Sequence, residues 1–179
     1  MSLLDDYLIP FYGLKEGIYD YQFSAGDDFF ELFENPDIHG GNLTVLLTLY
    51  RKNQFLELTF RITGYLNITC DRCLDDFNHP VDVENLLIVR FGEDNEEISD
   101  TVLIISRDET RLNIAQYIYE FAALALPVQK IHPEDENGNS ECNPEMINRL
   151  NNLYPGDKGK NDSITDPRWD ILKDLKIKN

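Results

Sequence analysis

Cysteine is scarce in this sequence, and its scarcity restricts the kinds of site that the chain can form. Only 3 of the 179 residues are cysteine, namely Cys70, Cys73 and Cys142. Three thiols cannot complete a four-sulfur zinc site within one chain. The first residues, Met1 to Asp6, also lack the basic start of a secretory signal. We therefore expect a cytoplasmic protein in a reducing environment, without a stable disulfide.

Long apolar runs and familiar catalytic motifs are absent as well. No apolar run reaches the roughly 18 residues of a membrane-spanning helix, so we expect no membrane partner. The sequence contains no GxSxG, HExxH, P-loop or dinucleotide-binding fingerprint. Its three histidines, His39, His79 and His132, are scattered along the chain. These absences predict a protein that is not an enzyme.

Positive charge is the next shortage. The chain has 16 Lys and Arg against 33 Asp and Glu, which gives a formal net charge of −17. A field of this sign repels phosphate backbones, so we expect no broad nucleic-acid binding. Bases are nevertheless present in the middle of the chain, Arg72 among them. A local basic contact with RNA therefore stays open.

The sequence is rich in segments where apolar and polar residues alternate. Period-two patterns, typical of half-buried strands, occupy residues 18–23, 43–50, 56–70 and 77–91. Ile114, Ile118, Phe121 and Ala125 follow at helical spacing, and Pro127 ends that helix. We predict an α+β fold, with an antiparallel β-meander that is open or closes toward a barrel, one packed helix and short C-terminal helices.

The domain organisation follows from the same patterns. We expect a single α+β domain over residues 1–153 with a CxxC knuckle at 70–73. A linker and an amphipathic C-terminal helix are expected in residues 154–179.

Four local details are also predicted. Gly64 should bend or bulge its strand, because it lacks a side chain. The acidic residues 93–100 should form a solvated loop, and residues 132–145 a mobile loop. Asn113 should cap the helix, with Gln116 in the capping-box position.

The C-x-x-C motif has the spacing of two ligands in a zinc knuckle. A complete site would require Cys142 together with His132 or His79. The segment from His132 to Cys142 is long enough to fold back, but it is rich in Asn, Gly and acidic residues, and ordering it costs conformational entropy. We therefore favour no cofactor. The alternative is a zinc ion bound by Cys70, Cys73, His132 and Cys142.

Redox chemistry and simple packing are the other interpretations of the motif. A C-x-x-C pair can form a reversible disulfide, but the attacking cysteine of thioredoxin-like proteins stands before a helix, and here a second strand is predicted to follow. Asp71, Asp75 and Asp76 oppose thiolate formation, whereas Arg72 favours it. Alternatively, the two cysteines are small buried groups that shape the turn.

Several short motifs occur in an order that resembles a known family. They are C-x-R-C-L at Cys70 to Leu74, the helix end Leu124-Ala125-Leu126-Pro127, and Asp166-Pro167-Arg168 followed by Trp169, Leu172 and Lys173. This order resembles the YceD-type family, over about residues 40–179 of the chain. Many family members carry two or more cysteines after the Leu-Pro element, where this chain has only His132 and Cys142.

The resemblance implies a role in the accumulation of large-subunit ribosomal RNA in bacteria. Because ribosomal proteins are strongly basic and this chain is acidic, we expect ribosomal proteins or large-subunit precursor particles as partners. The expected contact residues are Arg72, Cys70, Cys73 and Leu74, with Arg72 the candidate for a local RNA contact. Two alternatives stay open: a zinc-stabilised interaction module unrelated to ribosomes, and a thiol-redox enzyme.

Overall fold

A computed structural model of the chain describes residues 3–33, 35–135 and 137–153. Compact packing divides the chain into one unit, Met1–Cys142, and a second, Asn143–Asn179. The expected boundary at residue 153 stays a prediction, and the described part of the second unit is a helix, Pro144–Leu153. The predicted linker and C-terminal helix, including Asp166, Pro167, Arg168 and Trp169, lie outside the described residues.

Strands dominate the first unit. They are β1 (Leu8–Pro10), β2 (Gly17–Ala25), β3 (Ile38–Arg51), β4 (Phe55–Thr69), β5 (Asp76–Gly92), β6 (Glu96–Ser99), β7 (Val102–Ser106) and β8 (Arg111–Asn113). Six of them form a sheet in the order β2-β3-β4-β5-β7-β6, and β1 pairs with β8 in a separate ribbon. The meander β2 to β5 is antiparallel, as predicted, whereas β7 joins β5 in parallel.

One face of this sheet carries the core. Alternate residues of β3 and β4 are at most 1% exposed, namely Leu43, Val45, Leu47, Leu49, Leu56, Leu58, Phe60 and Ile62. Their neighbours Thr48 and Arg61 point to the other face and are exposed. Each fully buried aliphatic side chain contributes about 1.5–3 kcal/mol relative to an exposed one. The period-two pattern of the sequence therefore places the core, and the predicted α+β fold is confirmed.

The N-terminal segment packs into this core. A 3₁₀ helix, Leu3–Tyr7, leads into β1, and a short helix α1 (Asp27–Phe30) follows β2. The Tyr7 ring lies 4.9 Å from the Phe29 ring, and the Tyr7 hydroxyl donates a 2.7 Å hydrogen bond to the Ser24 carbonyl oxygen. The sequence had left the position of this segment open.

The helix after β8, α2 (Ala115–Leu124), completes the core. Ile114, Ile118 and Phe121 are buried, and the Phe121 ring contacts the Phe60 ring edge-on at a centroid distance of 5.2 Å. The helix ends before Pro127, as predicted. A third helix, α3 (Pro144–Leu153), is one of the short C-terminal helices that were predicted. No helix among the described residues is long and apolar enough to cross a membrane.

The predicted capping box of α2 is not formed. Asn113 Oδ1 accepts a 2.9 Å hydrogen bond from the Ala115 amide, so Asn113 does stabilise the start of the helix. The Gln116 side chain, however, donates to Glu120 one turn ahead at 2.7 Å instead of reaching back. The helix begins one residue later than predicted, with Ile114 at the N-cap position. Gln116 is therefore the second helical residue and not the third, which a capping box requires.

Of the bend or bulge predicted at Gly64, the bulge is absent. Gly64 pairs in unbroken register with Leu43 on β3 and Val81 on β5. Its φ of 143° lies outside the range of L-residues, and a Cβ there would collide with the backbone of Asn42. The glycine is required by the close approach of the neighbouring strand.

The sheet is open, with β2 and β6 at its edges, so it does not close toward a barrel. The acidic segment 93–100 is also more structured than predicted, because Glu96–Ser99 forms the edge strand β6. All four residues of β6 are exposed, as a solvated segment should be. Charged residues on an edge strand oppose edge-to-edge association with other chains.

Candidate metal centre

The C-x-x-C motif forms the tight connection between the long strands β4 and β5. The Cys70 amide donates to the Asp75 carbonyl oxygen at 3.0 Å, and the Leu74 amide donates to the Cys70 carbonyl oxygen at 2.9 Å. The Arg72 amide points at Cys70 Sγ, 3.4 Å away. Cys70 and Cys73 are 0% and 1% exposed. The turn therefore holds both thiols inward, with backbone N–H groups directed at the sulfur.

The chain from Lys130 to Cys142, called here the returning segment, is attached to this turn by two reciprocal hydrogen bonds. The Asp71 amide donates to the Lys130 carbonyl oxygen at 2.6 Å, and the Lys130 amide donates to Asp71 Oδ2 at 2.8 Å. The Lys130 ammonium also contacts Asp37 Oδ1 at 2.6 Å. Two residues after Lys130, this attachment brings His132 to the turn.

The chain between His132 and Cys142 closes on itself. Asp135 Oδ2 accepts a 3.0 Å hydrogen bond from Asn139 Nδ2, and Asp135 Oδ1 accepts bonds from the amides of Asn139 and Asn137 at 2.7 and 2.9 Å. These bonds lower the pKa of Asp135, the Asn139 side-chain bond most strongly and the Asn139 amide bond next. Glu134 and Ser140 form an antiparallel bridge, and the Glu141 amide donates to the Pro133 carbonyl oxygen at 3.1 Å. The expectation of a mobile loop overlooked these local hydrogen bonds, which offset part of the entropy cost of ordering.

Four potential ligands converge as a result. The ligand atoms of Cys70, Cys73, His132 and Cys142 all lie within 4.8 Å of one another. Cys70 Sγ and Cys142 Sγ are 3.8 Å apart, and Cys73 Sγ lies 3.4 Å from His132 Nδ1. Cys142 is 5% exposed, so all three thiols are buried.

These separations fit a tetrahedral metal ion better than a disulfide. Around zinc, with bonds of about 2.3 Å to sulfur and about 2.0 Å to nitrogen, two sulfurs lie about 3.8 Å apart and a sulfur and a nitrogen about 3.5 Å apart. A disulfide would require about 2.05 Å between sulfurs, and Cys70, Cys73 and Cys142 form no disulfide. The set of three thiols and one imidazole is a known composition of structural zinc sites.

The electrostatics of Cys70 are compatible with a thiolate ligand. Burial raises the pKa of the Cys70 thiol, but hydrogen bonds from the Cys73 and Arg72 backbone and from His132 outweigh this effect and lower the pKa from 9.0 to about 6. The thiolate is the form of cysteine that binds metals.

The other residues expected at the site are placed differently. His79 lies on β5, outside the four-ligand cluster, so of the two histidines considered only His132 joins it. Arg72 and Leu74 lie at the exposed tip of the turn, with 66% of Leu74 accessible to solvent. Leu74 adopts a φ of 65°, which is uncommon for a bulky residue. The turn thus presents Arg72 and Leu74 outward and the cysteines inward.

Comparison with known proteins assigns the chain to a family. A family model described as "Large ribosomal RNA subunit accumulation protein YceD" matches residues 58–176, two thirds of the chain, and includes all four residues of the cluster. No curated protein and no solved structure matches the chain significantly. The resemblance found in the sequence motifs is confirmed, and the chain belongs to the YceD family of large ribosomal RNA subunit accumulation proteins.

Proposed function

We propose that this protein is a non-enzymatic factor that supports accumulation of large-subunit ribosomal RNA by assisting assembly of the large ribosomal subunit. The observation that carries the proposal is family membership over residues 58–176, which contain the whole cysteine turn. The net charge of −17 favours basic partners, such as ribosomal proteins free or within precursor particles. We infer from partners of this kind that the protein works in the cytoplasm.

We further propose that Cys70, Cys73, His132 and Cys142 bind a structural zinc ion. Four protein ligands fill a tetrahedral coordination sphere, and no position is left for a substrate or a reactive water. The ion would attach the segment after Lys130 to the end of the β4–β5 hairpin, in addition to the Asp71 hydrogen bonds. Zinc would then have a structural role and not a catalytic one.

The tip of the turn is the proposed partner contact. A large apolar side chain at a positive φ costs strain that glycine would avoid, and such outliers often mark functional positions. Leu74 combines that strain with 66% exposure. Arg72 beside it is exposed and forms no salt bridge among the described residues, so its guanidinium is available to a partner group, including an RNA phosphate.

Affinity capture of the tagged protein from its native cytosol tests this proposal. We expect the wild-type protein to enrich large-subunit precursor RNA together with ribosomal proteins. Arg72→Glu and Leu74→Asp should reduce that recovery without lowering the melting temperature, because both side chains are on the surface. Arg61→Glu is the matched control, since Arg61 is exposed in the middle of the sheet and pairs with Asp82.

Three results would count against the proposal. Absence of large-subunit precursors from the wild-type capture would remove the assembly role. Equal loss in the Arg61 control would show an effect of charge alone. Capture of unrelated proteins by a zinc-containing chain would indicate an interaction module unconnected with ribosomes.

A thiol-redox enzyme is the second candidate, favoured by the lowered pKa of Cys70 and by its short separation from Cys142. Mixed disulfides with substrate proteins, trapped when both Cys73 and Cys142 are replaced by Ser, would support that candidate. The complete ligand set argues for the structural role instead, because thiols bound to zinc are held away from exchange.

A further inference from the structure

A second concave site lies at the end of the sheet opposite the cysteine turn. It is a cleft of about 990 Å³ beside the β3–β4 connection, bounded also by the end of β5 and by the segment after β7. Strand β4 begins at this cleft with Phe55 and ends at Thr69, next to the cysteine turn. Its 15 residues correspond to about 45 Å of strand.

Three arginines line this cleft, in a chain whose net charge is −17. Arg51 ends β3, Arg90 lies near the end of β5, and Arg107 follows β7. Among the described residues, Glu109 is the single acidic one in the lining. No salt bridge among the described residues involves any of the three arginines, whereas Arg61 and Arg149 elsewhere each pair with a carboxylate.

Among the three arginines, Arg51 gives the most direct indication that the cleft binds an anion. Its Nη1 atom is buried, and no described residue accepts a hydrogen bond from it. The guanidinium carbon lies 4.6 Å from the centroid of the Phe91 ring, which fixes the plane of the group against an aromatic face. A buried guanidinium N–H without an acceptor is costly. Because Nη1 is closed to solvent, an anion in the cleft would satisfy it once the groups that cover this atom shift.

Aromatic rings accompany the arginines. Phe11, Tyr12, Phe55 and Phe91 all line the cleft. Tyr12 is 75% exposed on a turn in which the Leu14 amide donates to the Phe11 carbonyl oxygen at 3.3 Å and Gly13 has a φ of 83°. A glycine at positive φ is what the third position of a type II turn requires. The turn therefore holds an exposed aromatic ring at the edge of an arginine-lined cleft.

We propose that this arginine–aromatic cleft binds a short segment of single-stranded polynucleotide, with a phosphate at the arginines and a base stacked on an aromatic ring. Guanidinium groups and exposed rings are the two components that proteins combine for single-stranded nucleic acids. An acidic peptide would satisfy the arginines but would leave the exposed ring of Tyr12 without a role. The acidic surface elsewhere limits the contact to a few nucleotides, because longer strands are repelled.

This site differs from the RNA contact considered at Arg72, and it does not depend on the ribosomal role. Binding can be measured with the isolated full-length chain. A failure in that measurement would leave the capture experiment on the cysteine turn unaffected, and a failure of the capture would leave the cleft proposal standing.

Fluorescence anisotropy with labelled 10-nucleotide single strands, one of RNA and one of DNA, tests the proposal. We expect Arg90→Gln with Arg107→Gln to weaken binding at least about tenfold, because each loses a charge-assisted hydrogen bond. The slope of log affinity against log salt should fall by about 0.7, because the one phosphate contact at the arginines is lost. Tyr12→Ala should weaken binding roughly 5- to 150-fold without changing the salt slope.

The matched control is Arg61→Gln with Arg149→Gln, which removes the same two charges outside the cleft. Both pairs of side chains are exposed, so circular dichroism should show unchanged folding. Tighter binding of the RNA strand than of the DNA strand would assign the ligand to RNA, and equal binding would support the cleft as a site for either.

Four results would overturn the proposal. The first is no measurable binding of either single strand, and the second is equal affinity in the cleft variant and the wild type. The third is equal weakening in the control pair. The fourth is tighter binding of a duplex, or of a labelled decaglutamate peptide, than of the single strands.

Discussion

His79 and His132 have the same side chain, but only one of them reaches the cysteines. The His132 ring packs on Phe77 with its centroid 4.6 Å away, and Nδ1 faces Cys73 Sγ. His79 meets the same Phe77 ring edge-on at 6.3 Å and is not part of the cluster. The attachment of the returning segment therefore decides that His132, and not His79, joins the cysteines. Residue type alone does not distinguish the two histidines.

Zinc content should follow this distinction. The reduced protein, purified with zinc supplied, is expected to contain about one zinc per chain, because its ligand set is complete. His132→Ala and Cys142→Ser should lose most of it, and His79→Ala should keep it. Elemental analysis of the four proteins gives the measurement. Zinc far below one per wild-type chain would restore the expectation of no cofactor, and equal loss in His79→Ala would show that the ligands are misassigned.

At the scale of elements, α2 shows how one helix divides between core and solvent. Ile118 is 0% exposed and Leu124 is 76% exposed, although both are aliphatic residues of the same short helix. The buried face packs on β4 through Phe60 and Phe121. Amphipathic spacing predicted that face correctly, because helix periodicity is a local property of the chain.

Truncating the buried residue should be far more costly than truncating the exposed one. Ile118→Ala is expected to lower the free energy of unfolding by about 2–5 kcal/mol, since it leaves a cavity under the sheet. Leu124→Ala should change it by less than about 0.5 kcal/mol. Denaturant titrations of both variants and the wild type give these values. Similar midpoints for Ile118→Ala and the wild type would remove α2 from the core.

At the scale of the whole molecule, the long strand β4 separates two sites of different character. The cysteine cluster lies beyond its end at Thr69, and the arginine–aromatic cleft lies at its start at Phe55. The two sites share no residue. When two substitutions lie far apart and share no contact partner, the free-energy changes that they cause usually add.

The two sites should therefore respond independently. His132→Ala is expected to lose zinc but to bind the single-stranded probe within about twofold of the wild type, provided that the sheet remains folded. The Arg90→Gln, Arg107→Gln variant should bind zinc like the wild type. Elemental analysis and anisotropy on the same preparations test both statements. Loss of probe binding in folded, zinc-free His132→Ala would show that the sites are coupled through the hairpin.

Much of the fold was predictable from the sequence by itself. Period-two alternation predicted the antiparallel meander, and helical spacing predicted α2, which ends before Pro127 as expected. Each of these signals comes from residues that are close together in the chain. The motif order around Cys70 to Leu74 also indicated the family that the comparison confirmed. Strand β6 was missed, since its exposed acidic residues carry no apolar pattern.

Only the tertiary structure decided which distant residues meet. The sequence showed two cysteines with ligand spacing but could not establish that Asp71 and Lys130 attach the returning segment beside them. It showed Arg51, Arg90 and Arg107 as isolated bases, and the ends of β3, β5 and β7 bring them into one cleft. Local patterns determine which elements form, because their periodicity is written in neighbouring residues. Both candidate sites depend on long-range strand pairing and loop return, which no local pattern encodes.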